Sequence, residues 1–215
     1  MRKGVIDGRV AVPSSMKKIR PNTQIASGFS VAAYRELRIQ LDQDAPSADV
    51  WTKIIDVFTR RLDERYLRPI EHLDRCENSE LSMIPGFAML ALDCIVIDTL
   101  QSFREKRRRT TKKSFQAFLK HAFEEFTSTD AVDFWMDIRN GLLHDGEARH
   151  DWTVAKNTPG VLWKDPVTGR RTINRTRFHA TVRSQLKEFC SKLESGDSAL
   201  RASFLQRMDQ ICGYP

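Results

Sequence analysis

The 215-residue sequence predicts a mainly α protein: a helical bundle with a small β-hairpin inserted after its fourth helix. Three observations carry that expectation. Apolar residues recur at intervals of three and four through several separate stretches, the spacing of amphipathic helices. One stretch, "FAMLALDCIVIDTL", is apolar nearly all round, as the central helix of a bundle is. A single later stretch, "DWTVAKNTPGVLWKDPVTGRRTI", abandons helical spacing for β-branched and aromatic residues between turn formers.

Taken in order, residues 1–45 form an N-terminal extension, partly irregular, punctuated by Gly4, Gly8, Pro13, Pro21 and Gly28. Within it "VAAYRELRIQL" fits either a short strand or a helical turn. Residues 46–215 form the helical domain. Its first helix starts at Ser47, a suitable N-cap with Asp49 in the first turn. Val50, Ile54, Val57, Phe58 and Leu62 give it an apolar face. Pro69 should end or kink this helix, with "RPIEHLDRC" as a continuation or a short second piece. The next helix runs from Ser82 to Arg107, with Pro85 in its first turn. A third spans Ser114 to Phe126 on Phe115, Phe118, Leu119, Ala122 and Phe126. The fourth lies in "DFWMDIRNGLLHDGE". Phe134, Ile138 and Leu142 line one face, Trp135 and Leu143 widen it, and Gly146 stops it. A β ribbon follows at about 151–173, turning near Asn157–Gly160 or Pro166–Gly169. Helices from Thr176 to Leu193 and from Ser198 to Ile211 close the chain.

Composition narrows the function classes. The longest apolar run, Phe87 to Leu100, is short of the roughly 20 residues that cross a membrane, and it carries Asp93 and Asp98. The N-terminal basic residues have no apolar core behind them, unlike a secretory signal. A soluble, cytoplasmic protein with no membrane partner is expected. Cys76, Cys94, Cys190 and Cys212 form no CxxC pair, which argues against a zinc site and a disulfide framework. Cys94 and Cys190 read as buried thiols. No HExxH and no paired His and carboxylate supports a metal, and no GxxxxGK[ST] or GxGxxG supports a nucleotide-hydrolysing domain. No cofactor is expected.

Net charge is +7 and the pI is about 9.4, a balance that favours polyanions such as RNA. The excess sits in "REKRRRTTKK" (Arg104 to Lys113) and "GRRTINRTR" (Gly169 to Arg177). Each is either a solvated loop or a track for phosphates. Arg107, Arg108, Arg109, Lys112 and Lys113 are the substrate-binding candidates.

The sharpest chemical signal is Arg139, Asn140 and His144 at the end of the fourth helix. Asn140 and His144 are four apart and share a face. Arg139 stands five before His144, about 140° round an ideal α-helix, and must swing its long side chain to join them. Gly141 bares the backbone between them. Histidine moves protons near neutral pH, arginine grips phosphate as a planar fork, and an amide positions a hydroxyl. Together they suit activation of a ribose 2′-OH, stabilisation of a pentacoordinate phosphate and protonation of a leaving 5′-oxygen. Alternatively, an Arg and a His near a helix C-terminus simply complement the helix dipole.

Elsewhere, His72 and His121 read as partly exposed structural residues and His179 as exposed. His150 lies six residues after the motif and is a distant candidate for the cleft. Asp93 and Asp98 either form structural ion pairs or orient Arg139 or His144.

The string "IRNGLLHDGE" resembles the R-x4-6-H motif of the HEPN superfamily, in particular bacterial HEPN-type proteins with an R-x-G-L-L-H pattern followed by an acidic residue. "ERYLRPIEHL" and "FAMLALDCIVIDTLQSFRE" resemble the preceding helices, so the likeness covers roughly residues 50 to 195. The resemblance implies an all-α homodimer whose two motif helices build one composite active site. It implies a metal-independent endoribonuclease leaving 2′,3′-cyclic phosphate ends, in a toxin–antitoxin, CRISPR or anti-phage setting, with an antitoxin protein as a further partner. Other members are inactive scaffolds that bind RNA or a partner protein. On these residues His144 would be the acid and base, Arg139 would hold the scissile phosphate, and Asn140 would align the 2′-OH. Apart from the resemblance, Glu147 flanks the motif and either supports Arg139 from behind or forms a surface salt bridge. The N-terminal extension and the ribbon depart from the typical small member of the family.

Overall fold

The computed structural model describes residues 19–42, 48–75, 84–150 and 152–215. Ser47, Cys76 and Ser82 lie outside the described residues. The fold is mainly α, as the periodicity predicts.

The described part of the N-terminal extension is regular. Strands β1 (Gln24–Ala26) and β2 (Phe29–Ser30) pair antiparallel across a turn in which Gly28 takes φ +70°. Ser30 then caps α1 (Val31–Leu41), its hydroxyl accepting from the Ala33 N–H. "VAAYRELRIQL" is therefore a helix and not a strand: the cap starts it, and Val31 and Tyr34, three apart, enter the core.

Helix α2 (Ala48–Leu62) buries Val50, Ile54, Ile55, Val57, Phe58 and Leu62. It does not end before Pro69. It widens into a π turn (Asp63–Leu67) and runs on as α3 (Arg68–Arg75). The Arg68 N–H bonds the carbonyl of Asp63, five residues back. Proline has no N–H, and its ring crowds the carbonyl four residues earlier. The extra residue in the turn takes up that misfit.

Helix α4 (Ile84–Arg104) is the axis of the bundle, packed by α3, by α5 (Lys112–Ala122) and by two later helices, residues 175–194 and 198–212. Leu90, Cys94, Val96, Ile97 and Leu100 are wholly buried. By length and composition Pro85–Arg104 is apolar enough to cross a membrane; in the bundle that surface forms core. Helix α5 starts two residues before Ser114 because Thr111 caps it. It stops before Phe126 because Phe123 is extended, and a reciprocal Thr127–Asp130 capping box opens α6 (Ser128–Asp133).

The ribbon is more than a hairpin. Strands β4 (Leu162–Lys164) and β5 (Arg171–Asn174) form the antiparallel pair, turning at Pro166–Gly169. A third strand, β3 (Trp152–Ala155), lies parallel to β5 on its other side. The Asn157–Gly160 segment is thus a crossover and not a hairpin turn. The Asn174 amide holds it by donating to the carbonyls of Lys156 and Thr158. Gly86 lets β3 sit flush on α4, since a Cβ there would lie 2.7 Å from Val154 Cγ1.

Helices α7 (Arg175–Glu194) and α8 (Ser198–Cys212) complete the bundle, capped by Asn174 and Asp197. Cys94 and Cys190 are buried thiols as expected, and Cys212 is a third. Half of the second basic run is absorbed by structure, while Arg170 and Arg177 stay exposed. Arg171 pairs with Asp133 and lies over the Trp152 ring, and Arg175 pairs with Asp74.

Candidate active site

The motif helix continues from α6, but not as an α-helix. Phe134–Arg139 and Gly141–Asp145 are wound as π turns. The Asn140 N–H bonds the Trp135 carbonyl, and the Gly146 N–H bonds the Gly141 carbonyl, each five residues back. A hydrogen bond of that span stacks residues five apart. Arg139 and His144 therefore face the same way, with Arg139 Nη1 3.5 Å from His144 Nε2. An α-helix would need the arginine to swing around; the π winding removes that need.

The winding has a local cause. After Gly146, at φ +74°, the chain folds back along the helix end. Glu147 donates its N–H to the Gly141 carbonyl at 3.3 Å, and Arg149 donates its N–H to the Asp137 carbonyl at 3.0 Å. Gly141 is where the two segments touch: a Cβ there would lie 2.3 Å from the Glu147 carbonyl oxygen.

Three contacts fix the Arg139 guanidinium. Nη2 donates to Asp98 Oδ2 of α4 at 2.7 Å, and Nη1 donates to Asn140 Oδ1 at 3.0 Å. Its plane lies over the Trp135 ring, 4.6 Å from the centroid. Burial raises the Asp98 carboxyl above the ordinary carboxylate range, and the Arg139 charge pulls it back. Asp98 Oδ1 and Arg139 Nε are buried without a hydrogen-bond partner. The supporting carboxylate is thus that of Asp98, one of the two α4 carboxylates the sequence offers for that role, and not that of Glu147, whose side chain the reversal at Gly146 carries outward to solvent. Asn140 orients the arginine, and His144 is exposed.

Arg139, His144, Asp98 and Trp135 form one side of a cavity of about 580 Å³. Arg108, Arg109 and Thr110 reach it from the basic loop, and the Thr110 hydroxyl ties that loop to α4 through the Asp98 carbonyl at 2.7 Å. Arg107, Lys112 and Lys113 are exposed and lie outside the cavity. The far side holds Arg61 of α2 and Arg207 of α8. Neither arginine carries a sequence signal, because nothing local says that α2 and α8 close on the motif.

His72 and His121 are exposed. His150 turns away from the cavity to Asp137, at 2.9 Å, beside the Trp152 indole N–H. His179, expected at the surface, is buried, with Nδ1 2.9 Å from Asp93 Oδ1. The packing of α7 on α4 turns it inward, where the wholly buried Asp93 needs a partner. Burial pushes the Asp93 carboxyl up to about 6 against the pull of His179. Among the described residues no group of three or more His, Cys, Asp or Glu side chains is placed to hold a metal ion. No protein-family model, curated protein or solved structure matches this chain.

Proposed function

We propose that the chain is a metal-independent endoribonuclease of HEPN type that acts as a homodimer. The observation that carries this reading is the meeting of a pre-oriented arginine and an exposed histidine at the edge of an arginine-lined cavity. His144 takes the proton of a ribose 2′-OH. The freed oxygen attacks the adjacent phosphorus, and Arg139 meets the charge that grows on the non-bridging oxygens. The 5′-oxygen departs with a proton, leaving a 2′,3′-cyclic phosphate. One protomer supplies one histidine for two proton transfers, and a two-fold axis beside the motif helix supplies the second. A toxin or anti-phage role with an antitoxin partner rests on the family resemblance alone.

Incubation of labelled RNA in EDTA is the test. Cleavage leaving cyclic phosphate is expected, reduced by about 10²–10⁴ in His144→Ala. RNA binding with no turnover in the native protein would instead make the site an inactive RNA-binding module. The Asp98–Arg139 ion pair favours that second reading, since it occupies part of the fork that would grip a phosphate.

A further inference from the structure

Five arginines and one carboxylate line the cavity, and that carboxylate, Asp98, is already paired with Arg139. Arg61, Arg108, Arg109 and Arg207 form no ion pair with a carboxylate among the described residues. They come from three separate parts of the chain: α2, the basic loop and α8. Cations are costly to crowd together away from water without counter-charge. The crowding is felt: burial and the neighbouring Arg65 hold Arg61 below the ordinary arginine range, and burial and Arg108 do the same to Arg207.

Two of these side chains, Arg61 and Arg207, are also held in place, while Arg108 and Arg109 are exposed. Arg61 Nη1 donates to the Ile25 carbonyl at 3.2 Å. Arg207 Nη1 donates to Gln210 Oε1 at 3.0 Å, and its Nη2 reaches the Arg108 carbonyl at 3.4 Å. Arg207 Nε is buried without a partner. Two anchored arginines, one with an unfilled donor, beside two exposed ones make a ready anion site. Tyr66, Ile95 and Ile211 line the same cavity and add apolar surface that suits a base. The volume falls in the range of pockets that enclose one small ligand.

We infer that Arg61, Arg207 and Arg108 form a phosphate subsite that seats one nucleotide of a single-stranded RNA beside the bond facing Arg139 and His144. The inference rests on the ribonuclease reading for its substrate. RNA is favoured over a free nucleotide because the wall continues outward. Arg108 and Arg109 lead from the cavity into the exposed Arg107, Lys112 and Lys113, as a backbone that enters and leaves requires.

Binding of a fluorescent single-stranded RNA to full-length His144→Ala protein, measured by anisotropy from about 50 to about 300 mM KCl, tests this without turnover. Arg61→Gln/Arg207→Gln is expected to bind about tenfold more weakly. The salt slope should flatten by about 0.7 for each phosphate that the variant no longer neutralises. Lys112→Gln/Lys113→Gln should move the affinity less. Thermal unfolding checks the fold, and if the double variant melts early, Arg108→Gln/Arg109→Gln reads the same wall from an exposed loop. Unchanged affinity and slope in the folded variants would overturn the subsite. Saturable binding of 5′-AMP that disappears in Arg61→Gln/Arg207→Gln, with RNA binding unmoved, would overturn RNA as its occupant. Weakened RNA binding in those variants, in a protein that never cleaves RNA, would leave the subsite standing and remove the ribonuclease reading.

Discussion

Arg139 and His144 are five residues apart and meet side by side because the turn between them is π and not α. The winding depends on Gly141, which lies against the backbone that returns after Gly146.

Gly141→Ala should therefore cost more than its place near a helix end suggests. The added Cβ would meet a carbonyl oxygen at 2.3 Å, so backbone must move. A stability loss of about 1–3 kcal/mol in urea unfolding is expected, together with loss of RNA cleavage. Gly146→Ala meets no atom within 4 Å and suffers only the left-handed backbone at φ +74°, so about 1–2 kcal/mol is expected there. Cleavage that survives Gly141→Ala as well as it survives Gly146→Ala would argue against the tight approach.

Asp98→Asn keeps the shape of the Arg139 partner and removes its charge. Cleavage should fall about tenfold through looser placement of the guanidinium, less than in His144→Ala. Activity equal to the native protein would mean that Asn140 and Trp135 alone hold Arg139 in place.

The Asp93–His179 pair gives a pH signature away from the cavity. The Asp93 carboxyl titrates near 6 in the folded protein, against an ordinary value of 3.8. Between those values the folded state holds the proton more tightly than the unfolded state. The contribution of Asp93 to stability therefore falls as pH rises from about 4 to about 6, by up to about 3 kcal/mol, and is level above that. Asp93→Asn should lack this slope. Parallel stability curves for the native protein and Asp93→Asn over that window would contradict the raised value.

The proposed homodimer is open to direct measurement. Val132 and Met136, four residues apart on the motif helix and its lead-in, are 37% and 40% exposed. They offer an apolar strip for a second copy. Sedimentation at micromolar concentration should show a dimer, and Val132→Glu/Met136→Glu should shift it toward monomer with loss of cleavage. A monomer that cleaves RNA at the full rate would remove the need for a composite site.

Much of the fold can be read along the chain because helices announce themselves locally. Phe115, Phe118 and Leu119 repeat at helical spacing and are buried. The Arg139 and His144 pair is visible by residue type and short spacing, although an ideal α-helix would set the two about 140° apart. What the sequence hides depends on contacts between distant segments. The sequence offers Asp93 and Asp98 alike for Arg139 or His144, and only the packing of α4 beside the motif helix assigns Asp98 to Arg139. His179 turns inward only because α7 meets Asp93. The π winding is a nearer matter, set by the chain that returns at Glu147 and Arg149, and no periodicity in the helix itself records it. The parallel β3–β5 pairing likewise needs a crossover that turn residues alone do not reveal.

Helix α1 is fastened to α8: the Tyr34 hydroxyl donates to Asp209 Oδ1 at 2.7 Å, and Arg35 donates to the carbonyls of Cys212 and Gly213. Tyr34 and Asp209 are 175 residues apart. During synthesis, at about 5–20 residues per second, the early partner waits roughly ten seconds or more for the late one. The wall of the cavity that holds Arg207 arrives with that same late helix. A nascent chain thus carries Arg139 and His144 before it can enclose anything beside them. Until α8 has emerged, the cavity lacks the side that Arg207 and Ile211 supply.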